Sequence, residues 1–220
     1  MNRANSAETS PSVRLFTAPG CPHCNGVKVS LTKLQEEELI EAFEVIDITQ
    51  QPDLAEAVGV RSVPWLEIGS LTLIGEQQLS ELRNWIARLS DTQVMVDYYE
   101  TLLVNGELSV AESVLQKSPA TLPSLLLLMI QENVPLQVRI GAVALLEGFA
   151  GREPLQQLIP QLAEQLQHQD YRIRADIAYL LGLTASSLAI EPLQKALEDS
   201  HHEVREIATE AIDEIGRDSG

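Results

Sequence analysis

The stretch TAPGCPHCNGVK, from Thr17 to Lys28, contains both cysteines of the chain, Cys21 and Cys24. The apolar segment before them, Ser12 to Ala18, ends at Pro19-Gly20, which is typical of a buried strand followed by a turn. We expect a helix to begin at about Cys21 and to place the two thiols on one face. From spacing alone, the thiols could be a redox pair, part of a metal site, or two side chains that merely lie close together.

The segments around this stretch predict a small domain of mixed strands and helices. The element order β-α-β-α-β-β-α predicts a right-handed crossover that makes the first two strands parallel, with the last two added as an antiparallel hairpin. After the first strand, the predicted elements are a helix over Cys21–Leu39, a strand over Glu41–Ile48, a helix over Pro52–Val58, a hairpin over Pro64–Gly75 and a helix over Glu76–Leu89.

Strand signals stop after Ser90, and residues 94–216 predict about four helix pairs. A Val/Ile-Arg dipeptide recurs in register within three helices, each preceded by another apolar helix. We expect the three arginines to bond to acidic groups of neighbouring turns, Asp170 or Asp199, in preference to forming an anion site. The helix pairs are Leu122–Glu132 with Gln137–Gly148, Leu155–Gln167 with Arg172–Leu183, and Ala189–Glu198 with Glu203–Gly216, and the dipeptides are Val138-Arg139, Ile173-Arg174 and Val204-Arg205.

The charge of the chain excludes several classes of partner. Its formal net charge is −17, and residues 91–220 carry 8 basic and 20 acidic side chains. A surface of this sign repels nucleic acid and anionic membranes. The longest apolar run, Leu125 to Ile130, is far shorter than the ~20 residues of a membrane-spanning helix.

The N-terminal residues 1–11 are small and polar, which predicts a disordered tail without the apolar core of a secretory signal. We therefore expect a cytoplasmic protein. Because thiols are kept reduced in that compartment, a close cysteine pair there is more often catalytic, redox-sensing or metal-binding than structural.

The residues next to the cysteines predict a division of labour between them. At the start of a helix, the backbone N–H groups and the positive end of the dipole favour the thiolate form of Cys21. Pro22 stiffens the first turn, and His23 adds a group that can be positive near neutral pH. We expect Cys21 to attack, or to be attacked, and a buried Cys24 to resolve the mixed disulfide.

Residues 12–90 resemble the thioredoxin fold family, through VRLFTAPGCPHC (Val13 to Cys24) and VRSVPWLEIG (Val60 to Gly69). Glutaredoxins and small archaeal-type thioredoxins are the most similar members. The resemblance implies a thiol-disulfide oxidoreductase with a cis peptide bond at Val63-Pro64, opposite the cysteines. It further implies that the Val63 backbone pairs with the substrate chain and that Pro64 keeps metal ions away from the thiolate. Trp65 would either shape the substrate groove or cover an apolar edge.

The sequence departs from that family pattern at two places. Leu15 stands where thioredoxins keep a buried carboxylate, so a proton acceptor for Cys24 is missing there. The glutathione-binding Gly-Gly of glutaredoxins is incomplete, because Gly75 is followed directly by Glu76. We expect no cofactor other than the redox-active disulfide.

Residues 120–216 resemble short HEAT-type repeats, of the kind found in phycobilin-lyase-like proteins, preceded by a cap pair over Val94–Val104 and Leu108–Lys117. The predicted organisation is thus a tail (residues 1–11), a thioredoxin-like domain (12–90) and an all-α solenoid (91–220). Because solenoids present extended binding surfaces, the repeats are expected to bind a protein substrate or client.

Two functional hypotheses follow. In the first, a monomeric enzyme exchanges protein disulfides through Cys21 and Cys24, is recharged by a thiol reductant or reductase, and uses its repeats as a protein-binding scaffold. In the second, the chain is a redox-sensing adaptor in which oxidation of the pair changes what the repeats bind. Turnover with unrelated disulfides separates the two.

A metal site is the remaining alternative. A structural zinc needs about four ligands, and only Cys21, Cys24 and His23 are local. An iron–sulfur cluster could be shared between two chains through Cys21. The other histidines, His168, His201 and His202, lie in predicted turns of the repeats.

Overall fold

The computed structural model describes residues 11–89, 91, 93–131 and 133–218. The predicted disordered tail therefore lies outside the described residues, apart from Pro11. The chain divides into two compact units, Met1–Val94 and Met95–Gly220.

The first unit is built on a four-stranded mixed sheet with the order β2-β1-β3-β4. Strand β1 runs parallel to β2 and antiparallel to β3, and β3 forms an antiparallel hairpin with β4. This confirms the predicted parallel pair, β1 with β2, and the predicted antiparallel hairpin, β3 with β4; the pairing of β1 with β3 joins the two. The strands are β1 (Val13–Thr17), β2 (Phe43–Asp47), β3 (Trp65–Ile68) and β4 (Leu71–Ile74).

Three helices accompany the sheet: α1 (Pro22–Glu36), α2 (Pro52–Val58) and α3 (Leu79–Ala87). Helix α1 buries Cys24, Val27, Leu31 and Leu34 at helical spacing. It ends at Glu36, earlier than the predicted Leu39, and Glu38 just beyond it has a φ of +58°, which no helix continues.

The second unit is all helical over its described residues, and its helices follow one another as pairs. The first pair matches the predicted cap, α4 (Val94–Val104) with α5 (Leu108–Lys117). The later helices are α6 (Leu122–Ile130), α7 (Leu136–Glu147), α8 (Glu153–Gln156), α9 (Ile159–Gln165), α10 (Tyr171–Leu183), α11 (Ile190–Ala196) and α12 (His202–Asp218), with 3-10 turns at Pro119–Thr121 and Ser187–Ala189.

The single helix predicted over Leu155–Gln167 is wrong, because the chain forms two short helices, α8 and α9, in its place. Pro160 explains the break: it has no N–H to donate, and its ring would collide with the carbonyl of Gln156 in a continuous helix. Pro160 lies instead in the first turn of α9, where its missing donor costs nothing.

The repeat arginines hold the turns of the second unit. Arg174 donates two hydrogen bonds to Asp199, at 2.6 and 2.8 Å, which confirms the predicted partner. Arg205 reaches back to the carbonyls of Asp199 and Ser200, at 2.7 and 3.1 Å. The prediction for Arg139 is wrong, because its acidic partner is Asp176, on a helix of the next repeat. Arg139 Nε lies 3.6 Å from Asp176 Oδ2.

Among the described residues, no helix is both long enough and apolar enough to cross a membrane.

Candidate active site

Cys21 and Cys24 are joined by a disulfide, with their Cα atoms 5.5 Å apart. The sequence placed Cys21 in the first turn of α1, and the structure places it one position earlier, as the N-cap residue. From there its Sγ accepts a hydrogen bond from the Cys24 N–H at 3.2 Å. The sulfur thus faces the unsatisfied N–H groups of the helix start, where a thiolate is stabilised.

The two sulfurs differ in their access to solvent. Cys21 is half-buried, whereas only 5% of Cys24 is exposed. Pro22 and His23 between them are both exposed. An incoming thiol or disulfide therefore meets Cys21 first, because attack requires access to the sulfur.

The approach to the pair is fixed by the turn that follows β1. The N–H of Cys21 donates to the carbonyl of Ala18 at 3.2 Å. Gly20 has a φ of +78°, a conformation that residues with a Cβ rarely adopt. The Pro19-Gly20 turn therefore sets where the chain leaves the strand and where the helix can begin.

The peptide bond at Val63-Pro64 is cis, as the resemblance implied. It directly precedes β3, and the N–H of Gly75 donates to the carbonyl of Pro64 at 2.8 Å. Val63 is half-buried and Pro64 is buried. The indole of Trp65 is 3% exposed, and its Nε1 forms no hydrogen bond with the described residues.

The contact made by Glu76 was not predicted from the sequence, where this residue was named only because it follows Gly75. Its carboxylate Oε2 lies 2.8 Å from Nδ1 of His23. A Cβ on Gly26 would lie 3.5 Å from Oε1, so the carboxylate sits over the first turns of α1. Through Gly75 and Glu76, the cis-proline loop and the cysteine helix are brought together at one end of the sheet.

The structure gives Leu15 an apolar setting, because its side chain is fully buried in the centre of β1. In the sheet register Leu15 lies between Val45 and Leu66, whereas the acidic residues Glu44 and Glu67 stand opposite Arg14, whose Nη2 is 2.5 Å from Glu67 Oε2. Where the family pattern has a buried carboxylate, this chain therefore has the apolar side chain of Leu15.

Within the described ranges, no group of three or more histidine, cysteine, aspartate or glutamate side chains is arranged to hold a metal ion. His23 is engaged with Glu76, and His201 stacks on Tyr171 with 3.5 Å between the ring centroids.

Comparison with known proteins agrees with both halves of this architecture. A family model described as a thioredoxin domain matches residues 12–87, and a model of HEAT repeats matches residues 122–213. A protein of Archaeoglobus fulgidus, named a probable thioredoxin, is 35% identical over 80 residues, which are 35% of this chain and 87% of that protein. The HEAT repeats extend through the three helix pairs that carry the Val/Ile-Arg dipeptides.

Proposed function

The chain belongs to the thioredoxin family, which gives it a thiol redox role, and from that premise we propose that it is an oxidoreductase acting on protein disulfides. The observation that carries this proposal is the half-exposed N-cap cysteine, Cys21, bonded to the buried Cys24 beside the cis-proline loop. In this proposal the HEAT repeats of the chain, residues 122–213, form the surface that binds the protein substrate, because such repeats commonly bind proteins.

The reaction consists of two thiol–disulfide exchanges. In the first, the Cys21 thiolate attacks one sulfur of a substrate disulfide, forms a mixed disulfide and releases the other substrate sulfur as a thiolate. In the second, the Cys24 thiolate attacks Cys21 Sγ, restores the Cys21–Cys24 bond and releases the second substrate thiolate. Two electrons pass from the dithiol to the substrate, and an external thiol reductant or reductase restores the dithiol.

The neighbours of the pair have supporting roles in this proposal. The helix start and His23 favour the Cys21 thiolate, and Pro22 stiffens the turn that carries it. The backbone of Val63 pairs with the extended substrate chain, while Pro64 excludes metal ions from the thiolate. Trp65 supports this loop from within, because its side chain is buried.

The test is disulfide reduction of insulin by the full chain, with dithiothreitol as the electron source. We expect Cys21→Ser to abolish catalysis, and Cys24→Ser to accumulate a mixed disulfide that a non-reducing gel detects. Asn25→Ser, an exposed neighbour in the same helix, is the matched control and keeps full activity.

Two results would overturn the proposal. If the wild-type chain reduces insulin no faster than dithiothreitol alone, the redox-sensing adaptor becomes the better account. If Cys21→Ser and Cys24→Ser trap substrate equally, the proposed division of labour is wrong.

A further inference from the structure

Three helices of the second unit present one continuous surface, which we call the α7–α10–α12 face. Its apolar half is formed by α7, with Leu136, Ile140, Val143 and Ala144. Its acidic half is formed by Glu147 of α7, Asp176 of α10 and three exposed residues of α12, Glu203, Glu210 and Glu214, which are spaced by seven and four positions and therefore share one side of that helix. Two contacts tie α7 to α10: Arg139 Nε lies 3.6 Å from Asp176 Oδ2, and the Tyr179 hydroxyl donates to Glu147 Oε1 at 2.8 Å. Helix α12 packs beside α10, and the charges of Glu203 and Glu214 act on Asp176 and Tyr179.

One half of this face is apolar. Leu136 is 62% exposed and Ile140 is 59% exposed, one helical turn apart on α7. Together with Val143, Ala144 and Asp176 they line a groove of about 250 Å³. Leucine and isoleucine are among the side chains most often buried, so a row of them beside a groove indicates a surface that another molecule covers.

The other half is acidic and only partly neutralised. Burial raises the pKa of Asp176, and the carboxylates of Asp170 and Glu203 raise it further against the opposing charge of Arg139. The pKa of Tyr179 is raised by its hydrogen bond to Glu147 and, in addition, by the charge of Glu214. Negative potential is therefore concentrated next to the apolar groove, where a cation would relieve it.

We propose that the α7–α10–α12 face binds a basic amphipathic helix of a partner protein. The apolar side of that helix lies in the groove along Leu136, Ile140 and Ala144, whose spacing of four residues matches a row on a helix surface. Its lysine and arginine side chains reach Glu203, Glu210 and Glu214. This inference rests on the proposed role of the repeats as a protein-binding surface and is independent of the cysteine pair.

Charge selects this occupant over the others. A second copy of the chain would bring another −17 against the acidic half of the face. Nucleic acid would be repelled for the same reason. Binding of a basic amphipathic helix is favoured by burial of its apolar side in the groove and by attraction between its cations and the carboxylates of the face. The attraction weakens as the salt concentration rises.

The experiment measures binding of three labelled 18-residue peptides to the oxidised full chain by fluorescence anisotropy. The first peptide is an amphipathic helix of leucine and lysine, the second replaces lysine with glutamate, and the third replaces leucine with serine. We expect the leucine–lysine peptide to bind at least about tenfold more tightly than either of the others.

Variants then locate the site. We expect Ile140→Ser, and separately the double variant Glu210→Lys with Glu214→Lys, to weaken binding of the leucine–lysine peptide about tenfold. Leu188→Ser is the apolar control, because Leu188 is 73% exposed and lines a different cleft. Glu164→Lys with Glu112→Lys is the charge control, because both residues are exposed on other helices.

The proposal is overturned if the controls weaken binding as much as the variants of the face, or if the lysine–serine peptide binds equally well. It is also overturned if sedimentation shows a dimer that Ile140→Ser dissociates, since a second copy would then be the occupant. Insulin reduction by the wild-type chain separates the two proposals: if the chain reduces insulin but does not bind the leucine–lysine peptide more tightly than the other two peptides, this inference is removed and the oxidoreductase is left intact.

Discussion

The carboxylate of Glu76, just after β4, lies 2.8 Å from the imidazole of His23, which stands between the two cysteines. When protonated, His23 is a cation beside the Cys21 thiolate, and Glu76 is an anion held against that cation. The two charges therefore act on the thiolate in opposite directions. Because a stabilised thiolate favours the reduced pair, each should shift the reduction potential with its own sign.

We expect His23→Ala to make the potential of the Cys21–Cys24 pair more negative by roughly 30 mV, which is a tenfold change in the equilibrium. Glu76→Gln removes the opposing anion and should shift the potential the other way, by a smaller amount. Titration against glutathione redox buffers measures both. Glu44→Gln, an exposed carboxylate on β2, serves as the control. Shifts of the same sign in the two variants would contradict opposed charges.

Asp199 is the residue on which the turn before α12 depends. Its side chain is 9% exposed and accepts from Arg174 and from the N–H of His201. The hydrogen bond from Arg174 holds the pKa of Asp199 below its ordinary value, although burial opposes the shift. A carboxyl whose pKa is lower in the folded state stabilises the fold above its unfolded pKa, and that stability is lost as pH falls through the folded value.

Asp199→Asn should therefore lower the free energy of unfolding at pH 7 by roughly 1–3 kcal/mol, because it leaves the half-buried Arg174 without its counter-charge. The difference from wild type should begin to shrink as pH falls below about 4, the ordinary pKa of an aspartate, and should disappear once pH is below the lowered pKa of the folded state. Urea unfolding at several pH values measures this. Glu191→Gln breaks the exposed pair with Lys195 and should change nothing measurable. A difference that stays constant down to pH 2 would rule out the charge as its cause.

At the scale of the elements, helices α10 and α12 approach each other closely at Gly182. A Cβ on Gly182 would lie 2.7 Å from the Cβ of Ala211 and 3.2 Å from its Cα. The glycine is therefore required by the approach of the second helix, and the backbone position of Ala211 leaves no flexible side chain that could move away.

Gly182→Ala should destabilise the second unit by about 1–3 kcal/mol, since overpacking exceeds the gain in helix propensity. Gly216→Ala is the matched control, because nothing lies within 4 Å of a Cβ at that position in α12. It should stabilise the helix by up to about 1 kcal/mol. Thermal unfolding followed by circular dichroism distinguishes them, and equal midpoints for the two variants would refute the packing argument.

The order of strands and helices along the chain, and the helix pairs, were predictable because both depend on local periodicity and on glycine and proline at the ends of elements. The sequence did not predict contacts between residues distant along the chain, nor which of several apolar residues in one helix or strand is buried. In α1, for example, Val29 is apolar but 48% exposed, because it lies about 200° from the buried Val27 around the helix. In β2, which is an edge strand, Ile46 is buried and its neighbour Val45 is exposed, although both are apolar.

The candidate site likewise contains residues that could be identified from the sequence and contacts that could not. Cys21, Cys24 and the Val63-Pro64 pair could be identified from the sequence, since each carries its own chemical or conformational signature. Glu76 could not be paired with His23, because 53 residues separate them and only the folded sheet brings β4 beside the start of α1. The partner of Arg139 was missed likewise, since Asp176 lies one repeat further along the chain.

For the molecule as a whole, the dominant long-range property is its charge. Residues 1–90 carry 7 basic and 12 acidic side chains, and the rest of the chain carries 8 and 20. Both parts are therefore expected to attract a cationic substrate of the proposed reaction. The net charge of the whole chain should affect the rate of association with a substrate, whereas the residues around Cys21 should determine the rate of thiol–disulfide exchange.

This separation can be measured with two synthetic peptides of equal length, each with one disulfide, one rich in lysine and the other in glutamate. At about 10 mM ionic strength the Debye length is roughly 30 Å, so we expect kcat/KM for the lysine peptide to exceed that for the glutamate peptide at least about tenfold. At about 1 M salt the Debye length falls to roughly 3 Å, and the ratio should approach one. Glu210→Lys with Glu214→Lys should reduce the low-salt ratio only partly, because most of the net charge remains. A ratio that does not change with salt would mean that contacts near Cys21, and not the field of the whole chain, select the substrate.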